Sequence, residues 1–215
     1  MKKTTTILAA FFFCSLLMPL QAQFSFLGGL EYNLMSGGYS TPSFTIGGMG
    51  GIKDGEMGVF GKVSFFFPKK FSYEETAYAY SSLTVPQSVS VTADWKVGFT
   101  IIAIGTRRYF GDGAVGDGGL YGIGAISLML AKAKYSYSAY DQALYDGPAD
   151  ITSETYVDAF AHIGIGYDLS LSDQLFLSFE LPLAISFAGV NSREGSASSF
   201  PIILSPGVGL RFMLN

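Results

Sequence analysis

The stretch VDAFAHIGIGYDLSLSD, residues 157–173, carries the only histidine of a 215-residue chain, with Asp158 and Asp168 nearby. An imidazole with a carboxylate to orient it is the usual general base near neutral pH. A nucleophile–base pair would also need a serine within reach of that histidine. His162 is instead followed by Ile163 and Gly164, and the alternation described below turns it toward the polar face. GDGAVG, residues 111–116, matches the dinucleotide fingerprint G-x-G-x-x-G, which holds a pyrophosphate only where a helix follows. Strand periodicity follows here, so the segment reads as a flexible turn. Asp112 and Asp117 are too few carboxylates for a calcium site. The expectation is no catalytic residue, no cofactor, no metal and no enzyme.

The elements that would position these residues begin after a leader. MKKTTTILAAFFFCSLLMPLQA has Lys2 and Lys3, then an apolar run from Ile7 to Leu17, then Pro19 and Ala22. That is the layout of a secretory signal peptide over residues 1–22, leaving residues 23–215 as one domain. The only cysteine, Cys14, falls in the leader, so the remainder has neither a disulfide framework nor a catalytic thiol. The whole chain has net charge −4, and losing two lysines makes the remainder more acidic. Nucleic acid is therefore excluded as a partner, since phosphate binding needs a basic surface. Hydrophobic residues make up 49% and charged ones only 14%, against about 25% charged in a soluble domain. Yet no run after Ala22 approaches the ~20 apolar residues of a membrane helix. A secreted, apolar chain without such a run points to a closed barrel, the other structure that satisfies every backbone polar group in lipid.

Two-residue alternation tests that reading, because successive side chains of a strand face opposite ways. It recurs in eight segments: Phe24–Leu34, Phe44–Ile52, Met57–Phe67, Val91–Ile101, Tyr121–Tyr137, Val157–Leu169, Leu175–Phe187 and Ile202–Leu214. Eight is the smallest usual strand number for an outer-membrane barrel. The odd positions of the 91–101 and 121–137 segments, Trp95 and Tyr121 among them, read as the lipid face, as does Arg107. Turn-like connections at 53–56, 110–119 and 171–174 alternate with longer linkers at 36–42, 69–90, 139–152 and 188–199. Short turns and long loops at opposite ends imply periplasmic termini. Pro182 and Pro206 lie within proposed strands and are expected to mark bulges.

The same parity collects the charges expected inside: Glu31, Lys62, Asp94, Lys96, Arg108, Lys132, Lys134, Asp158, His162, Asp168, Glu180 and Arg211. An eight-stranded interior is just wide enough to be filled by side chains, so these are expected to form a lumenal polar network. The loops 69–90 and 139–152 are rich in tyrosine and serine and could offer a surface to an extracellular ligand or envelope protein.

At residue level GTRRYFGDGAVGDGGLYGIGAI, residues 105–126, is similar to a hairpin of the small outer-membrane β-barrels of OmpA, OmpX and OmpW type. It has their aromatic strand end (Tyr109, Phe110), short turn and glycine-rich next strand (Tyr121, Gly122, Gly124). The chain ends FMLN, where that family commonly ends on an aromatic residue. No cell-wall-binding domain follows, so anchoring to the wall is not carried over. The resemblance implies an all-β, eight-stranded antiparallel up-and-down transmembrane β-barrel in a bacterial outer membrane, with outer-membrane lipid as partner. The expected role is structural or surface-interacting with the lumen plugged by charged side chains. The alternative is a small pore or conduit for ions or hydrophobic solutes.

Overall fold

The computed structural model describes residues 23–36, 38–52, 55–147, 153–191 and 202–214. The leader, Lys53 and Asp54 of one turn, and parts of the linkers 139–152 and 188–199 lie outside them. The strands are β1 (Phe24–Met35), β2 (Tyr39–Ile52), β3 (Met57–Phe66), β4 (Lys69–Ala79), β5 (Ser88–Tyr109) and β6 (Gly119–Tyr137). They continue as β7 (Tyr145–Asp146), β8 (Ser153–Ser170), β9 (Leu175–Asn191), β10 (Ile202–Leu204) and β11 (Gly207–Leu214). All pairings are antiparallel. β3 with β4 makes one stave and β10 with β11 another, so β1, β2, β3/β4, β5, β6, β8, β9 and β10/β11 form a ring of eight. The seam joins first and last strands, with Phe24 opposite Leu214. β7 pairs only with the end of β4 and stands outside the ring.

The outer wall shows why the sequence is so apolar. Phe26, Leu30, Ile126, Leu128, Ile163, Ile165, Leu181, Val208 and Leu210 all point outward and are exposed. On β6 the outward row runs Leu120, Gly122, Gly124, Ile126, Leu128, Leu130, the 9–11 residues that one strand needs to cross a bilayer. Water would penalise such a continuous apolar belt.

Two strands face opposite to the expectation. On β5 the odd residues Val91, Ala93, Val97, Phe99 and Ile101 are buried, as are Tyr121, Ile123, Met129, Ala131 and Ala133 on β6. The interior needs apolar filler here, and Ile102, Ile104, Leu128 and Leu130 serve the outer wall instead. The inner side chains gather in an apolar layer that includes Phe66, Phe99, Ile101, Met129, Phe160 and Ile203. At the termini end the turn after β5 folds inward, donating Val115 N to Gly55 O at 2.8 Å. Val115 is thereby packed against Met49, Tyr109 and Tyr121. Gly118 permits this turn, with φ of 84° and a Cβ position only 2.6 Å from Asp168 O.

Prolines act elsewhere than expected. Between Phe65↔Thr100 and Lys69↔Val97 three residues, with Pro68 the last, oppose two. The extra residue flips the parity, so Phe66 and then Phe71 both face in. Pro182 pairs with Gly164 in unbroken register. Ser205 and Pro206 interrupt the ladder without shifting it, since Leu34↔Leu204 and Leu30↔Val208 keep one register. Pro182 accepts from Ser205 N at 3.0 Å but has no N–H to return. The two prolines therefore share one weak point between neighbouring staves. The register shift in β8–β9 occurs at Phe187, between the pairs Ala159↔Ala188 and Phe160↔Ser186.

At the end away from the termini, two expected loops are largely strand. Only three residues separate β1 from β2. Most of 69–90 is a ribbon of β4 and β5, paired out to Tyr78↔Ser88 while β5–β6 pairing stops at Ala93↔Tyr137. Tyr140 and Tyr145 brace its base against Ala77 and Val91.

Candidate functional site: a lumenal charge network

Inward positions at the termini half of the barrel bring six charged side chains into one chain of contacts. Arg211 on β11, with no exposed surface, donates from Nε to Asp168 Oδ2 at 3.1 Å and from Nη1 to Ser25 Oγ at 3.3 Å. Its guanidinium also lies 3.8 Å from the Phe176 ring centroid, within cation–π range. Asp168 on β8 is equally buried and accepts from Tyr109 OH at 2.7 Å and Ser178 Oγ at 2.6 Å. Arg107 Nη1 on β5 stands 3.7 Å from the same carboxylate. Its Nη2 donates to Glu180 Oε1 on β9 at 2.5 Å, and its plane covers the Tyr121 ring at 4.8 Å. Tyr121 OH donates to Glu180 at 3.2 Å.

Lys62 on β3 continues the chain, 3.4 Å from Glu180 and 2.7 Å from Glu31 on β1. Glu31 also accepts from Ser64 Oγ at 3.2 Å. The signs alternate from Arg211 through Asp168, Arg107, Glu180 and Lys62 to Glu31. Three cations meet three anions, so no net charge is buried, the condition under which interior ions are tolerable. Asn33 and Ser43 extend the polar layer at 2.9 Å, and Ser205 donates to Asn33 at 2.7 Å. Arg107, Lys62, Glu31 and Glu180 line a partly open pocket of about 40 Å³ at the β1–β11 seam, shared with Gly29, Gly207 and Gly209 and with the outward Leu30 and Val208. That is room for roughly two or three water molecules.

Of the residues named from sequence, Glu31, Lys62, Asp158, His162, Asp168, Glu180 and Arg211 point into the lumen. Asp158 accepts from Ser186 Oγ at 3.0 Å. His162 Nε2 and Ser127 Oγ lie 2.6 Å apart, so the histidine does have a serine partner, but inside the barrel and not at its outer surface. Asp94, Lys96, Arg108, Lys132 and Lys134 do not point inward. They occupy the outward parity of β5 and β6, polar because they lie beyond the apolar belt. Asp94 pairs with Lys70 at 2.8 Å and takes Ser72 Oγ at 2.6 Å. Arg107, placed in the lipid face from sequence, is only 4% exposed and holds the middle of the chain. Sequence reasoning missed Tyr121 as its ring partner and Tyr109 as a donor to Asp168. The signal available was the Arg107–Arg108 dipeptide itself: in a strand one of two adjacent arginines must face in.

Among the described residues no group of His, Cys, Asp and Glu is arranged to hold a metal ion, and 111–118 is a turn leading into a strand. This architecture is an all-β, eight-stranded antiparallel barrel. No family model matches the chain, and no curated protein matches it. Solved structures do. Ail, the attachment invasion locus protein of Yersinia pestis, solved with the heparin analogue sucrose octasulfate, aligns over 91% of this chain and all of its own. Its TM-score is 0.51 at 12% identity. A major outer membrane protein from Thermus thermophilus aligns over 90% of this chain and all of its own, with TM-score 0.53 at 10% identity. The chain has the fold of the small outer-membrane β-barrels.

Proposed function

We propose that residues 23–215, freed of the 1–22 leader, form an integral outer-membrane protein of a double-membraned bacterium with both termini periplasmic. Its lumen is plugged, and its role is structural or surface-interacting. The observation that carries this reading is the filling of the interior. The alternating chain from Arg211 to Glu31 occupies one half, and the layer around Phe99, Met129 and Phe160 packs the other. An ion would have to displace both. Function then falls to the end away from the termini, where the ribbon 69–90 and, among the described residues, 139–147 stand clear of the ring. The ribbon exposes Tyr78, Tyr80, Leu83 and Val85, and tyrosine gives contact area with a polar handle. That Ail was solved with a heparin analogue supports an extracellular ligand or envelope partner for this end. No enzymatic role belongs to this reading, because the one histidine is turned into a packed lumen.

The test is single-channel conductance of the refolded, folding-verified protein in a planar bilayer, with Lys62→Ala alongside. A silent bilayer is expected from both. A steady conductance that Lys62→Ala alters would replace this reading with a small pore.

A further inference from the structure

Lys70 on β4, Lys96 on β5 and Lys134 on β6 are direct cross-strand partners on the outer face, Lys70↔Lys96 and Lys96↔Lys134. Three like charges thus stand in one row across three strands, spanning about 10 Å at the usual strand spacing. Lys132, the next outward residue of β6, adds a fourth; all four are exposed. Like charges set opposite one another destabilise a sheet, so the row costs stability unless something neutralises it. Among the described residues the carboxylate paired with the row is Asp94, on Lys70 at 2.8 Å, and Glu74 lies two outward positions farther along β4, opposite Thr92.

The position of the row is as informative as its charge. On β6 the outward series passes from aliphatic residues to lysine without a break: Ile126, Leu128, Leu130, Lys132, Lys134. The lysines therefore begin where the apolar belt stops. Opposite Lys132 is Gly98, whose outward position is bare, with only Pro68 Cγ at 4.0 Å. A bare glycine position beside the lysines thus adjoins Leu128 and Leu130 on the same outer face.

We propose that this row is a binding site for the phosphate group of a membrane lipid, whose acyl chains lie against Leu128 and Leu130. A phosphate offers several acceptor oxygens and at least one negative charge to lysine donors, which recognise it as point charges. A soluble polyanion would use the charges but gain nothing from the leucines. This inference rests on the belt lying in the bilayer, and it is independent of whether the lumen conducts.

Native mass spectrometry of the folded full chain, released from detergent, tests it with phosphatidic acid, phosphatidylcholine and a heparin oligosaccharide as probes. Phosphatidic acid should bind preferentially, and Lys96→Gln/Lys134→Gln should weaken it about thirtyfold, given the usual contribution of a lysine near an anionic membrane surface. Lys69→Gln serves as the control: its ammonium lies over the Tyr39 and Phe71 rings, on the other face, and binding should not change. Heat-modifiable migration on gels verifies that each variant is folded. Equal binding of the two lipids, or undiminished phosphatidic acid binding in the double variant, overturns the proposal. So does a heparin oligosaccharide that binds more tightly than phosphatidic acid and is lost with the same two lysines, which would make the row a glycan site.

Discussion

Arg211→Met replaces the most buried cation of the lumen with an uncharged side chain of similar length. In the native barrel Arg211 and Asp168 have no exposed side-chain surface and lie 3.1 Å apart. The variant leaves Asp168 its hydrogen bonds from Tyr109 and Ser178. Among the described residues its one other cation is Arg107 at 3.7 Å, already committed to Glu180. Removing one partner of a buried pair costs about 3–5 kcal/mol, because the remaining charge stays desolvated. The contact with Phe176 adds to the loss, so about 4 kcal/mol is expected. Asp168→Asn in the same chain should restore at least half of this, since the neutral amide removes the stranded charge and can still accept from Tyr109. Arg107→Met should cost less than Arg211→Met, because Glu180 retains Lys62 and Tyr121. The assay is reversible urea unfolding of the barrel in lipid vesicles, followed by tryptophan fluorescence. If Arg211→Met unfolds at the native midpoint, or if adding Asp168→Asn deepens the loss, the ion chain is not what holds this half of the interior.

Facing on β5 is open to the same assay: Ile104→Arg should cost about 2–4 kcal/mol, as for a cation set in the lipid face near mid-bilayer, whereas Lys96→Ala should leave the midpoint where it is. Gly166 lies under the Tyr121 ring, so Gly166→Val must displace that ring from Glu180; a loss of about 1–3 kcal/mol is expected, with a changed near-ultraviolet circular dichroism spectrum. Opening the apolar layer with Phe99→Ser/Phe160→Ser should leave the bilayer silent, because the charge layer still fills the other half, and a steady conductance from the double variant would show that the charge layer does not seal by itself. At the ribbon tip Leu83→Asp should shift unfolding by less than about 0.5 kcal/mol, because the side chain is almost fully exposed.

Strand number, pairing order and the facing of β1, β8 and β9 were legible in the sequence because there one parity is apolar and the other polar or glycine. β8 is the clearest case, with Ile163 and Ile165 outward and Asp158 and Asp168 inward. β5 and β6 resisted because Val97 to Ile104 is apolar at nearly every position, and an apolar lumen layer competes with the lipid face for the same residue types. Asp94, Lys96, Lys132 and Lys134, whose polarity set the expected parity, are polar because they lie beyond the belt. Arg107 could not be placed locally, since its partners Glu180 and Asp168 are 73 and 61 residues away in the chain. Only residues 36–38 separate β1 from β2, and Pro42 is accommodated within β2; a proline near a strand start reads in sequence like a loop. Pro68 carries no sequence mark of its place in the parity flip, because the tyrosine- and serine-rich stretch that follows it reads as a linker and not as a strand.

Assigned to strands, the lumenal ion pairs all run across the barrel. Arg211–Asp168 links β11 to β8, Asp168–Arg107 links β8 to β5, Arg107–Glu180 links β5 to β9, Glu180–Lys62 links β9 to β3, and Lys62–Glu31 links β3 to β1. None of these pairs joins neighbouring staves; each is a chord across the circle. Arg211–Asp168, Asp168–Arg107 and Lys62–Glu31 each skip a single stave, whereas Arg107–Glu180 skips two and Glu180–Lys62 skips three. At about 4.8 Å per stave the last two would span roughly 14 and 19 Å of a flat sheet, beyond the reach of their side chains, so they form only as the sheet curls. They add nothing to any single hairpin and favour the curled cross-section, so that an uncurled sheet gains nothing from the Arg107–Glu180–Lys62 centre of the chain.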